Sequence, residues 1–311
     1  MAIPRTWTSF EDTGRSPFVL TTWNHLADGL DVNGGFSVDD PSILVWRNRY
    51  PGIVDELKAT ESDIICLQEA NHCGDLAVEF KDFAMLCAPK MSSAATEEYS
   101  FPPDGTAMFI KRSKFDVLAV KILYLFDPVK NCLSNQNAII VCLQDKQENS
   151  SFIVATVHLK AKPGEANSTL RSNQIKETLE EINSFKLRLR RDDIPVVLCG
   201  DFNCNSSEKV YSTMLASSLQ FSSAYNPGVR GQDKSDEEYA TGEPDFTTWK
   251  YRVGKEKKET IDFIWKSESD GKLLKQAIRD IPSSEELGLK GLPCMKYPSD
   301  HISLSCRFAW R

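Results

Sequence analysis

Long apolar runs are missing from this 311-residue chain, and with them any segment able to cross a membrane as a helix. The stretch from Met1 to Arg15 lacks the apolar core of a secretory signal. There is no internal repeat, no low-complexity tract and no linker, so the chain reads as one domain, residues 16–311, behind an N-terminal extension, residues 1–15. Positive charge is also short: 37 Lys and Arg stand against 44 Asp and Glu, a net charge of -7. That argues against a broad basic face that coats nucleic acid, and it leaves room for a local basic pocket. Cysteine pairs at metal-binding spacing are absent, and no Cys/His cluster suits Zn²⁺. The nine cysteines are an odd number, and Cys66, Cys142 and Cys199 lie in apolar, strand-like runs. They read as buried, reduced thiols in a reducing compartment, cytoplasmic or, after removal of a transit peptide, mitochondrial.

What is present begins with a core. The chain is 41% hydrophobic and 26% charged, an ordinary globular composition. Val196-Val197-Leu198-Cys199 reads as a strand buried on both faces, and Gly200 permits a tight bend after it. Asp201 and Asn203 follow two apart, so in extended geometry they project to one side. Such a pair serves either a site or an Asx turn that closes the strand.

Other apolar runs repeat the pattern. Phe18 to Trp23 ends at Asn24, and Asp63 to Leu67 ends at Gln68-Glu69. Ala138 to Leu143 and Phe152 to Val157 form a hairpin across the polar turn Asp145 to Ser150, and its second arm ends at His158. Thr106 to Ile110, Thr260 to Trp265 and Ile302 to Cys306 are further strands. Asp40-Pro41 predicts a helix start, with Ile43, Trp46, Tyr50, Ile53 and Leu57 on one face and a kink or break at Pro51. A second helix, capped by Asn167 or Ser168, carries Leu170, Ile175, Leu179, Ile182 and Phe185 and has a basic tail from Lys186 to Arg191. Another begins near Ser207. Asn226 to Gly242 is polar and reads as a surface loop. Many strands and few crossover helices fit two packed sheets with helices outside.

Asn24, Glu69, His158, Asp201 with Asn203, Asp262, and Asp300 with His301 thus sit at or near strand ends. A Glu after a strand is usually solvated and a lone His is usually structural, but a carboxylate within Ile-Asp262-Phe-Ile-Trp is costly to bury unpaired. Asn, Glu and Asp are hard oxygen ligands that suit Mg²⁺ or Mn²⁺. With two histidines to move protons or hold negative charge, the set describes hydrolysis of a phosphoester by water.

Trp-Asn24, Leu-Gln-Glu69, His158-Leu-Lys, Gly-Asp201-Phe-Asn203, Ile-Asp262-Phe-Ile and Ser-Asp300-His301 resemble, in order, the motifs of the endonuclease/exonuclease/phosphatase superfamily. Thr247-Thr-Trp-Lys-Tyr-Arg252, His158-Leu-Lys160-Ala-Lys162 and Leu292-Pro293 leading to Tyr297-Pro-Ser-Asp-His301 resemble one branch of it, related to the messenger-RNA deadenylases. The resemblance implies an α/β fold, a DNase-I-like four-layer α-β-β-α sandwich with the site at one end of both sheets. It implies Glu69 as the direct Mg²⁺ ligand, Asn24 acting through water, and Asp201 with Asn203 holding the attacking water. His301, oriented by Asp262, and His158 would contact the scissile phosphate, with Asp300 supporting the metal or the His301 loop. Lys90, Lys160, Lys162 and Arg252 match the branch's substrate-phosphate contacts, although most lysines are simply solvated. Lys162 stands where that branch carries Arg, and a lysine cannot grip phosphate in a bidentate way.

The implied activity is a Mg²⁺-dependent phosphatase, acting as a monomer, that removes the 2′-phosphate of NADP⁺ and NADPH. The alternative is a 3′-exoribonuclease that shortens poly(A), which would need a basic or aromatic track for several bases. A catalytically idle binding module is the third reading, and the intact set of metal and histidine residues weighs against it.

Overall fold

Strands whose side chains are apolar on both sides need cover on both sides, and the chain provides it by stacking two sheets and placing helices outside them. The computed structural model describes residues 2–10, 14–30, 35–38, 40–226, 242–252, 254–269, 271–288 and 290–311. One sheet runs β1 (Trp7–Ser9), β14 (Leu273–Arg279), β15 (Leu304–Trp310), β2 (Arg15–Asn24), β3 (Ile64–Gln68), β5 (Gly105–Lys111), β4 (Phe83–Pro89). The other runs β10 (Phe221–Ser223), β13 (Asp262–Ser267), β9 (Val196–Asp201), β8 (Ser151–His158), β7 (Cys132–Asp145), β6 (Phe115–Asp127). Both are mixed: β2–β3 and β8–β9 are parallel, and their remaining pairs are antiparallel. A separate ribbon pairs β11 (Thr248–Arg252) with β12 (Lys255–Glu259).

The helices are α1 (Trp46–Ala59), α2 (Cys73–Glu79), α3 (Ala94–Tyr99), α4 (Glu165–Leu189), α5 (Lys209–Leu215) and α6 (Ser284–Leu287). The core has three strata. Leu20, Ile64 and Met108 meet Val141, Val197 and Ile264 between the sheets. Ile53, Val54 and Leu57 of α1 cover the outer face of the first sheet. Ile175, Leu179, Ile182 and Phe185 of α4 cover the outer face of the second. The expected four-layer α-β-β-α sandwich is the observed one. In β9, Val196 and Leu198 face α4, whereas Val197 and Cys199 face the other sheet, which accounts for the unbroken apolar run.

Several local expectations change. Asp40 caps as expected, accepting from Ser42 N, but only a single 3-10 turn follows, Pro41–Leu44. The break falls at Val45, whose ψ of 126° is extended, and α1 continues through Pro51. Proline removes one helical bond there, and the buried face of α1 offsets that loss. The long helix begins before Asn167, at Glu165 behind Gly164. Strands β4 and β6 were not foreseen because they are edge strands with mixed, half-exposed side chains. Gly200 lies inside β9 and does not end it; a Cβ there would come within 2.0 Å of the Val157 carbonyl oxygen. Of the surface loop read from Asn226 to Gly242, residues 227–241 lie outside the described residues.

Residues 1–15, read as an extension, supply the edge strand β1 against β14. They also supply Arg5, whose guanidinium meets the buried Glu56 carboxylate at 3.0 Å. Among the described residues, all nine cysteines are free and no helix is long and apolar enough to cross a membrane.

Candidate active site

Parallel pairing and sheet stacking bring the polar strand ends together. Asn24 ends β2 beside Gln68, which ends β3. His158 ends β8 beside Asp201, which ends β9, and Asp262 opens β13 directly across from Asp201. Asn24 bridges the sheets: its Nδ2 donates to Glu69 Oε1 at 3.1 Å and to Asp201 Oδ2 at 3.0 Å. Glu69 is turned inward by a left-handed backbone, φ 53°, and its Oε2 accepts from Ala27 N at 3.3 Å. The Ser299–His301 loop is fastened here by Ser299 Oγ to Asn24 O at 2.6 Å and by Trp23 Nε1 to His301 O at 2.7 Å.

Asp201, Asp262 and His301 each bring a ligand-type atom within 4.8 Å of the others. Asp262 Oδ2 is already engaged, accepting from Thr247 Oγ1 at 2.6 Å and facing His301 Nδ1 at 2.9 Å. That arrangement orients an imidazole, as a carboxylate behind a catalytic histidine does. Asp201 Oδ2 faces His158 Nε2 at 3.6 Å and His301 Nε2 at 3.9 Å. Burial, only partly offset by Asp201, holds His158 down to about 4, so it is neutral near pH 7.

The donor set fits a hard divalent cation: the carboxylates of Glu69 and Asp201 are drawn together by the Asn24 amide nitrogen, while Asn24 Oδ1 accepts from Leu26 N at 3.1 Å. Asp262 Oδ1, Asp300 Oδ1 and His158 Nδ1 are buried with no hydrogen-bond partner. Orphaned polar atoms are costly, and three of them around one cluster mark a place arranged for something other than protein.

One sequence expectation is corrected. Asn203 does not project beside Asp201. Its φ of 50° turns it back, so that its N donates to Asp201 Oδ1 at 2.8 Å, an Asx turn, and its Nδ2 donates to Leu159 O at 3.0 Å. The turn reading of this pair therefore holds on Asp201 Oδ1, while Oδ2 faces the histidines. Asp300, expected to support the metal or the His301 loop, holds Lys250 Nζ at 2.9 Å through its Oδ2 and lies 3.6 Å from Arg252.

Lys250 is the residue that sequence reasoning passed over. Its Nζ also lies 2.9 Å from His301 Nε2. The signal was available, since Lys250 and Arg252 are two apart on one strand and share a face. Burial pulls His301 down and Asp262 behind the ring outweighs it, so the ring holds a proton more readily than a free imidazole, while lysine remains the stronger base of the pair. Asp300 beside it offsets burial and raises Lys250 further. Arg252 is more exposed and stacks on Phe36, 4.5 Å from the ring centre.

Lys90, Lys160 and Lys162 line a pocket of about 460 Å³ next to the cluster, and Lys130, from the β6–β7 turn, joins them. Lys90 pairs with the buried Asp104. Arg171 holds the Lys160 and Lys162 carbonyls, each at 3.0 Å, which shapes the loop after His158. Burial and the crowding of Lys162, Lys130 and Lys90 push Lys160 down. Asp127 Oδ1 fixes the Lys130 turn by accepting from Val129 N and Lys130 N. Lys130 lacked a signal in the sequence because its turn matches no motif.

Residues 21–301 match the model of the Endonuclease/Exonuclease/phosphatase family. The chain is 32% identical to mouse nocturnin over 303 residues, 96% of this chain and 67% of that protein. It is 33% identical to nocturnin of Drosophila melanogaster over 304 residues, but covers only 46% of that longer protein. The human nocturnin catalytic domain with bound sulfate superposes with a TM-score of 0.77 at 28% identity, covering 99% of this chain and 98% of that one. ANGEL2, a 2′,3′-cyclic phosphatase in complex with adenosine-2′,3′-vanadate, shares the fold at a TM-score of 0.78 and 22% identity, covering 100% and 99%.

Proposed function

From the premise that the chain is a nocturnin-like member of the endonuclease/exonuclease/phosphatase family, we propose that it is a metal-dependent phosphatase that hydrolyses the 2′-phosphate of NADP⁺ and NADPH. The observation that carries this reading is the lysine pocket lined by the Lys160–Lys162 segment that follows His158. Four lysines surround a space of about 460 Å³ in a chain of net charge -7, and such a pocket suits a compact polyanion. A polynucleotide track would extend a basic and aromatic groove over several bases.

In this reading Glu69 and Asn24 hold Mg²⁺, with Mn²⁺ as the other fitting ion. Bound there, the cation would supply neutralisation of charge on the phosphate. Asp201 Oδ2, lodged between the two histidines, orients the attacking water and accepts its proton. Asp262 fixes the His301 ring. His158 is neutral and can donate to a phosphate oxygen. Water adds to phosphorus as the bond to the ribose 2′ oxygen breaks; the water's proton passes to Asp201 and the departing oxygen takes a proton from solvent, yielding NAD⁺ or NADH and inorganic phosphate. Lys160, Lys162, Lys90 and Arg252 grip the rest of the substrate.

The test is one preparation assayed with Mg²⁺ on NADP⁺, NADPH and an oligo(A). Release of phosphate from the dinucleotides with little shortening of the oligomer is expected. Ready shortening of oligo(A) with NADPH untouched would establish the exoribonuclease instead.

A further inference from the structure

We propose that Lys250 makes the centre selective for phosphate monoesters over diesters, by offering a fixed ammonium to the additional negative oxygen that only a monoester carries. The inference rests on the phosphatase reading above and names the kind of phosphate the centre prefers.

Lys250 is held in place from several sides. Its strand, β11, is pinned to the His301 loop by Trp249 N to Asp300 O at 3.1 Å and by Thr248 Oγ1 to the same carbonyl at 2.8 Å. Ile302 N donates to Thr247 O at 2.7 Å, and Leu292 N to Trp249 O at 2.8 Å. The side chain is only 16% exposed, so the ammonium cannot wander into solvent. Asp300 Oδ2 faces both Lys250 and Arg252, so the two cations share that carboxylate, and Glu69 adds to the negative field on Lys250. The second contact of Lys250 is the ring nitrogen Nε2 of His301 at 2.9 Å. A phosphate oxygen is a far stronger acceptor for an ammonium than imidazole is, and charge-assisted bonds are about twice as strong as neutral ones. His301 lies in the cluster with Asp201 and Asp262 and 2.9 Å from Lys250, so in the phosphatase reading a phosphate oxygen placed at His301 also comes within reach of Lys250.

A monoester near pH 7 carries a charge of about -1.5 to -2, whereas a diester carries one negative charge. The Glu69 site with its cation can serve either. An additional buried cation on the His301 side contributes mainly to the ester with an oxygen to spare. Arg252, 43% exposed and stacked on Phe36, is placed for a more peripheral part of the substrate.

Two nucleotides that differ in this one respect provide the test: adenosine 2′-monophosphate, a monoester, and adenosine 2′,3′-cyclic monophosphate, a diester. Their binding is measured by titration calorimetry with Mg²⁺ in an Asp201→Asn background that suppresses turnover. The unaltered Lys250 protein should favour the monoester by ~10-fold or more; equal affinity would overturn the proposal without any further variant. Lys250→Met should weaken the monoester by ~30-fold and the cyclic diester by no more than ~3-fold, and Lys250→Arg should restore most of the difference. Equal weakening of both nucleotides, or of neither, would overturn it. Failure of NADP⁺ hydrolysis with this discrimination intact would remove the dinucleotide reading and leave the role of Lys250 standing.

Discussion

Asn24 Nδ2 and Asp201 Oδ2 lie 3.0 Å apart although they end strands of different sheets. The same amide group holds Glu69 Oε1 at 3.1 Å, so one short side chain sets the spacing between the buried Asp201 and the half-buried Glu69 carboxylates. Asn24→Ala should therefore lower kcat for NADPH by ~10²-fold, because small misplacement of reacting groups is expensive. Steady-state phosphate release checks it, with circular dichroism to show that the fold persists.

Glu69 has a sharper expectation. Glu69→Ala and treatment with EDTA should each abolish turnover, a loss of ~10³-fold or more, and added Mg²⁺ should rescue only the EDTA-treated protein. Rescue of both by Mg²⁺ would mean that Glu69 does not hold the ion.

Arg252 stacks on Phe36 at the edge of the site and is only loosely tied to Asp300. Arg252→Ala should raise KM for NADP⁺ by ~10-fold and largely spare a generic phosphodiester. Equal losses on both would assign Arg252 to the fold or to the chemistry.

Lys130 lines the pocket from the turn held by Asp127. Lys130→Ala should raise KM for NADP⁺ several-fold and leave adenosine 2′-monophosphate unaffected, since that nucleotide lacks the pyrophosphate. An equal rise for both substrates would place Lys130 on the scissile group.

Glu56 anchors the N-terminal segment, accepting from Arg5 at 3.0 Å and from Arg279 at 2.7 Å. Burial alone would raise this carboxyl, and the two guanidinium groups outweigh it and hold it below its ordinary value of 4.5. Its stabilising contribution is present above that value and is lost as pH falls through the lower, folded-state value. Glu56→Gln should cost about 3–5 kcal/mol at pH 7 and flatten the acid decline in stability. Deleting residues 1–9 should cause a comparable fall in thermal midpoint, because Arg5 and the edge strand leave together. Unfolding by denaturant at pH 4 and pH 7 measures both.

Much of this was legible because the sandwich writes its site at the ends of buried strands. Val196 to Cys199 must be apolar on both faces, so the polar residue that follows stands out, and the same contrast marks Asn24, Glu69 and His158. Edge strands β4 and β6 carry no such contrast, because one side of each is wet and their patterning is weak. Asn203 misled because the expectation assumed extended backbone, and a left-handed residue reverses the side-chain direction. The Pro41 helix misled because capping signals mark a start and not a length.

By itself the sequence determined which chemical groups would be available and in what order they would come: hard oxygen ligands, two histidines and a set of lysines behind buried strands. Backbone periodicity and burial are local, so they survive in one dimension. Only the tertiary structure decided which group touches which. It set Lys250 and not Arg252 against His301, joined Lys130 to the pocket, and tied Arg5 to Glu56 across 51 residues. Those pairings depend on the stacking of two sheets and on a ribbon laid across a loop, and the energy of a charge depends on what stands within a few ångströms of it.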